Sequence, residues 1–183
     1  MMRHLPNLLS TLRLALSPFA AWAVLNDHDS AALAAFAVAG LSDLLDGWIA
    51  RRFGFTSRFG AWLDPIADKL LMLFCFIALL RVGATPLWLV VLVLGRDFLV
   101  AAGVALAWAL SLPLRMEPLG LGKAATAIEL LYIGVALLLL AFDQDAPHLM
   151  LAAAATVSLF VVLSGLAYLH VFLRALIFGR RTA

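Results

Sequence analysis

Apolar residues run along this chain in six stretches, at 8–25, 31–52, 60–81, 86–110, 123–142 and 148–177. Each is about as long as, or longer than, the roughly 20 residues a helix needs to cross a hydrocarbon core. Between them lie segments with turn chemistry: 26–30, 54–59, 83–86, 112–122 with Pro113 and Pro118, and 143–147. The pattern predicts an all-α integral membrane bundle of six transmembrane helices in a single domain, residues 1–183, with no internal repeat. Leu5, Leu8, Leu9, Leu12 and Leu16 recur at helical spacing while Arg3, His4, Ser10 and Arg13 face elsewhere. That spacing predicts a short N-terminal helix lying in the membrane interface. Because Arg13 and Pro18 interrupt the opening apolar run, it reads as a retained first span and not as a cleaved leader.

Composition strengthens the membrane reading and narrows the partners. Hydrophobic residues make up 65% of the 183 positions and charged residues 13%, with a mean hydropathy of +1.06. A water-soluble domain holds about 45–50% apolar residues. The lipid bilayer is therefore the first partner. A net charge of +2, with no basic run interleaved with aromatics, gives no support for nucleic acid as another. The single cysteine, Cys75, excludes an intramolecular disulfide and a thiolate metal cluster, and reads as core filler.

Lys and Arg placement sets the orientation, since cytoplasmic loops hold the excess. Arg3, Arg13, Arg51, Arg52, Arg58, Lys69, Arg115, Lys123, Arg174, Arg180 and Arg181 fall on one side of the six-span topology. Arg81 falls on the other, with Asp27, Asp29, Asp143 and Asp145. Both termini are predicted to be cytoplasmic, in a cell inner membrane, and the turn between the second and third spans opens to the same side.

That turn is flanked by Asp43, Asp46, Asp64 and Asp68, four carboxylates within 26 residues of mostly apolar sequence. At about 2.5–3.5 kcal/mol each on insertion scales, they would together oppose membrane insertion by roughly 10 kcal/mol if nothing neutralised them. At about 100° per residue, Asp43, Asp46, Gly47 and Ala50 share one helical stripe with Arg51 at its edge. Gly60, Asp64 and Asp68 share a stripe on the next helix. A short connection makes the two helices antiparallel neighbours, so the stripes can face each other. Four aspartates suit a centre with two divalent cations, Mg2+ or Mn2+, because such ions prefer hard oxygen ligands. Gly47, Ala50 and Gly60 permit close backbone approach by a diphosphate, and Arg51 offers a fork for its oxygens. Asp68 is the candidate proton acceptor. A competing reading makes the acids a cation pathway in a cation-coupled transporter and the small residues packing contacts. That reading does not call for both glycines and Arg51 at these offsets from the acids.

The stretch DLLDGWIARRFGFTSRFGAWLDPIAD matches without a gap the pattern D-x-x-D-G-x-x-A-R, eight residues, G-x-x-x-D-x-x-x-D. In this the chain resembles the CDP-alcohol phosphatidyltransferases. The resemblance implies transfer of a phosphatidyl group from CDP-diacylglycerol to an alcohol with release of CMP. It assigns Asp43, Asp46, Asp64 and Asp68 to two divalent ions, Asp68 also to general base catalysis, and Gly47, Ala50, Arg51 and Gly60 to the CDP moiety. None of the fixed positions of the signature is a serine, cysteine or histidine nucleophile, which favours direct attack by the hydroxyl.

The flanks LPNLLSTLRLALSP, GLSDLLDGWIAR, LDPIADKLLM and LGRDFL are most similar to the branch that makes cardiolipin with CMP release. The branch that makes phosphatidylglycerophosphate is a near neighbour. The expected acceptor is a glycerol-type lipid, phosphatidylglycerol, with glycerol 3-phosphate as the alternative. A phosphomonoester acceptor needs several converging cations, and beyond the signature only Arg96, Arg115 and Lys123 are candidates. At the approximate positions where the phosphatidylglycerophosphate branch has a further Arg and Lys, this chain has Val104 and Ala125.

Arg96 and Asp97 lie near the middle of the fourth span, and Arg96 reads equally as an acceptor ligand or as part of a structural ion pair between helices. Glu129 reads as pairing with a neighbouring helix. Asn7 and Thr11 read as helix-end hydrogen bonding or as contacts to the cytidine. Ala101, Ala105 and Ala109, four residues apart, are compatible with the homodimer the resemblance implies.

Overall fold

The computed structural model describes the backbone of residues 5–53, 58–110 and 120–178, with side chains over 10–43, at 45, and over 65–110 and 120–177. Six α-helices occupy these residues and no strand is found among them: α1 (Leu5–Leu25), α2 (Asp29–Phe53), α3 (Arg58–Arg81), α4 (Leu87–Ala109), α5 (Gly120–Ala141) and α6 (Pro147–Phe178). Of these, α4, α5 and α6 are long and apolar enough to cross a membrane, and Ser10–Leu25 of α1 is a shorter apolar helix. The described residues thus form only helices, and the chain is a multi-pass membrane protein.

Local chemistry explains where the helices stop. Asp27, Gly83 and Asp143 adopt left-handed backbone, with φ of 59°, 78° and 51°. The next amide in each case reaches back five residues: His28 N to Ala23 O at 2.8 Å, Ala84 N to Leu79 O at 2.9 Å, and Gln144 N to Leu139 O at 2.9 Å. Asp27 N, Gly83 N and Asp143 N donate to Val24 O, Leu80 O and Leu140 O. These are the paired bonds of a Schellman motif, which satisfy carbonyls at a helix end that has no further turn to accept from. Downstream, α6 opens on Pro147, whose missing N–H is no loss in the first turn.

The helices gather into two compact units. The first holds α1, α2, α3 and α5 from Ile133 onward; the second holds α4, α5 up to Tyr132, and α6. Within the first, α1 packs against both α2 and α3. Small side chains allow that approach: Ala20 and Ala23 on α1, Ala32, Ala35 and Ala39 on α2, and Ala67 and Ala78 on α3 are buried. Leu71, Met72, Cys75, Phe76 and Leu79 fill the space beside them. In the second unit α4 packs on α6, with Leu89, Val90 and Val93 buried on α4 and Ala154, Val157 and Val161 on α6.

The polar side of the opening of α1 lies inside the protein, not at the water-facing side of an interfacial helix. Ser10, Arg13 and Ser17 are fully buried, whereas Leu12, Phe19, Trp22 and Leu25 are exposed. Nor does a break separate an interfacial segment from the first span, because α1 runs unbroken from Leu5 to Leu25. The physical reason is the solvent. Where the surroundings are apolar, a polar stripe finds its partners in the protein interior, and the leucine face turns outward.

Candidate active site

The site is built on the side of α1 that faces both α2 and α3. Arg13 is 0% exposed. Its Nη1 donates to Asp68 Oδ1 on α3 at 2.6 Å, and its Nη2 lies 3.1 Å from Asp43 Oδ1 on α2. One planar guanidinium thereby joins the first and last acids of the signature, and the fork geometry of arginine suits that bridging. The two carboxylates are about half exposed, at 49% for Asp43 and 42% for Asp68. The cation therefore lies on the interior side, and both acids keep an accessible side away from it.

The neighbouring hydroxyls on α1 and α2 are satisfied locally. Ser17 Oγ donates to the Arg13 carbonyl at 2.8 Å, and Ser42 Oγ, one residue before Asp43, donates to Ala39 O at 2.7 Å. Both serines satisfy their hydroxyls within their own helix, so neither competes for the carboxylates.

Asp46 follows Asp43 by three residues on α2, and Asp64 precedes Asp68 by four on α3, so the helical backbone places each on the face of its described partner. Gly47, Ala50, Arg51 and Gly60 also belong to these two helices. The side chains of Asp46, Ala50, Arg51 and Asp64, and the surroundings of Gly47 and Gly60, lie outside the described residues. Among the described residues no group of three or more His, Cys, Asp or Glu gathers as a metal site. The donors that are described fit a divalent ion in kind: two hard carboxylates from separate helices, brought side by side and accessible.

The second unit has its own buried cation. Arg96 on α4 is 8% exposed. Its Nε and Nη2 both donate to Ser164 Oγ on α6, at 3.2 and 2.6 Å. Nη2 also reaches Gly122 O on α5 at 3.5 Å, and Nη1 donates to Asp97 Oδ1 at 2.7 Å. The guanidinium carbon stands 5.8 Å from the ring centre of Tyr168. Every nitrogen of this side chain thus has a protein partner. A Cβ on Gly122 would sit 2.8 Å from Tyr168 Oη and 3.1 Å from Tyr168 Cε2, so a larger residue there would have to displace that ring. Lys123, the next residue, is exposed in the first turn of α5, and Glu129 is fully buried two turns on. Arg115 lies outside the described residues.

Arg13 is the candidate-site residue that the sequence reading missed, having counted it as a polar-face and cytoplasmic-side charge. The signal was present: an arginine within an apolar run needs a buried partner, and the nearest acids in a short helical bundle are those of the signature.

The CDP-alcohol phosphatidyltransferase family model matches residues 3–166. Among curated proteins, the chain is 37% identical over 150 residues to a probable cardiolipin synthase (CMP-forming) of Drosophila melanogaster, covering 73% of this chain and 46% of that protein. It is 34% identical over 152 residues to the chloroplastic CDP-diacylglycerol--glycerol-3-phosphate 3-phosphatidyltransferase 1 of Oryza sativa subsp. japonica, covering 74% and 46%. A putative cardiolipin synthase of Mycobacterium tuberculosis is 40% identical over 122 residues, covering 66% and 58%. The chain spans about half the length of the curated relatives it matches.

Proposed function

Because the chain belongs to the CDP-alcohol phosphatidyltransferase family, we propose that it transfers the phosphatidyl group of CDP-diacylglycerol to a glycerol-type alcohol and releases CMP. The observation that carries this reading is the meeting of Asp43 and Asp68 at Arg13. It supports the facing arrangement that the two halves of the signature need, since acids from both helices are drawn to one guanidinium. The family match runs through both compact units, which supports treating residues 1–183 as one enzyme domain.

Asp43, Asp46, Asp64 and Asp68 are assigned to two divalent cations, Mg2+ or Mn2+. Bound there, such ions would offset negative charge on the pyrophosphate. The chain's own residues do the rest. Asp68 accepts the proton of the attacking hydroxyl, while its bond to Arg13 fixes the orientation of its carboxyl group. Gly47, Ala50 and Gly60 let the CDP moiety approach the helix backbones, and Arg51 binds its phosphate oxygens. Catalysis is then mainly a matter of positioning and electrostatics. The protein works as a six-span bundle of a cell inner membrane, with both termini and the site on the cytoplasmic side. Ala101, Ala105 and Ala109 all lie on an exposed face of α4, which supports a homodimer.

For the acceptor, phosphatidylglycerol is the leading reading, giving cardiolipin. The partners of Arg96 are already within the protein, and Ala125 is fully buried. Few cations remain for a doubly charged phosphomonoester. A second reading, glycerol 3-phosphate as acceptor, is supported by the named activity of the rice relative. Purified protein given CDP-diacylglycerol, Mg2+ and each acceptor in turn separates them. CMP release that depends on phosphatidylglycerol supports the first reading, and release that depends on glycerol 3-phosphate supports the second. No release with any alcohol rejects both and leaves a cation-coupled transporter.

A further inference from the structure

We infer that Arg13 is a resident counter-cation of the acidic site, a positioning residue that holds Asp43 and Asp68 in register when no divalent ion is bound. This inference rests on the metal-dependent reading given above. Three observations carry it. Arg13 is completely buried, yet its described ionic partners are both half exposed. The guanidinium thus forms the floor of the acid pair and leaves its outer side accessible to an arriving ion. The two carboxylates come from different helices, and like charges this close repel unless a positive charge stands between them. Finally, α1 packs on both α2 and α3, so a charge fixed on α1 reaches both acids without any motion of the other two helices.

Arginine suits this role because it stays protonated in proteins and offers a rigid fork. A buried arginine is itself tolerated only while paired. Each charge therefore keeps the other in place in the ion-free protein, and a bound divalent ion takes over part of the neutralising work. The role is distinct from simple packing. Its signature is that the need for Arg13 depends on whether the metal is present.

The test is thermal unfolding of the purified full chain in detergent, in EDTA and in MnCl2, for the wild type, Arg13→Met, Arg13→Lys and the double variant Arg13→Met with Asp43→Asn. The loss of Tm caused by Arg13→Met is expected to be at least roughly twofold larger in EDTA than in Mn2+. Arg13→Lys, which keeps the charge, should resemble the wild type more closely. In EDTA the double variant should be more stable than Arg13→Met alone, because one of the repelling acids has been neutralised. Equal losses with and without Mn2+ would overturn the inference and leave Arg13 a packing residue. If Arg13→Met yields no folded protein, the double variant decides: folding supports the counter-cation role, and failure to fold overturns it. A wild type that shows no response to Mn2+ would instead reject the metal-dependent reading, which separates that failure from failure of the inference.

Discussion

Arg13 and Asp68 are 55 residues apart in the chain and 2.6 Å apart in the structure. The contact ties the first helix to the last acid of a signature that occupies only the second and third. It makes α1 a wall of the candidate site and fixes the orientation of the Asp68 carboxylate.

Asp68→Asn keeps the size and hydrogen-bonding capacity of the side chain and removes its ability to take a proton. CMP release should fall by about 10²–10⁴-fold, the usual contribution of a positioned general base, while CDP-diacylglycerol binding persists. Initial rates and equilibrium binding measured on the same preparation check this. Turnover at the wild-type rate would remove Asp68 from the base role.

Ser164→Ala deletes the hydroxyl that accepts from both Arg96 Nε and Arg96 Nη2. Hydrogen bonds to charged groups contribute about 1.5–3 kcal/mol, so a stability loss of that order is expected. Because Arg96 is read as a fastener of α4, α5 and α6, the KM for the acceptor should stay within about threefold of wild type. Denaturation and steady-state kinetics together check this. A large rise in acceptor KM with unchanged stability would place Arg96 in the acceptor site.

The helix ends give a pair of opposite outcomes. Gly83 sits at φ 78°, where a side chain is strained, so Gly83→Ala should destabilise by about 1–2 kcal/mol. Asp27 and Asp143 already bear that strain at φ 59° and 51°, so Asp27→Gly or Asp143→Gly should be neutral to slightly stabilising. Thermal melts of the three variants check the signs.

The helices were legible because their ends are marked by residues with definite local chemistry. The stretches expected at 31–52 and 60–81 appear as Asp29–Phe53 and Arg58–Arg81, and that expected at 148–177 appears as Pro147–Phe178. Asp27, Gly83 and Asp143 close helices, and Pro147 opens one. Helical periodicity likewise put Asp43 and Asp68 each on a stripe with the other signature acid of its own helix, and the structure brings those two acids to one guanidinium. Periodicity does not say which face points inward when the surroundings are apolar too. For that reason Arg13 was expected on the polar face of an interfacial helix, and its burial together with Ser10 and Ser17 puts that face inside the protein. The partners of Arg96 were hidden for a related reason. Ser164 lies 68 residues away, and nothing local in either segment marks the pairing. The ion pair itself runs to Asp97, the adjacent residue on α4, and not to another helix as expected.

The most direct test of the central claim, that acids from α2 and α3 jointly hold divalent ions beside a lipid-linked pyrophosphate, is Mn2+ uptake by the purified full chain with and without CDP-diacylglycerol. The wild type is expected to take up Mn2+, more tightly when the liponucleotide is present, and the double variant Asp43→Asn with Asp68→Asn should lose that uptake. No uptake by the wild type even with CDP-diacylglycerol, or undiminished uptake by the double variant, would contradict the account.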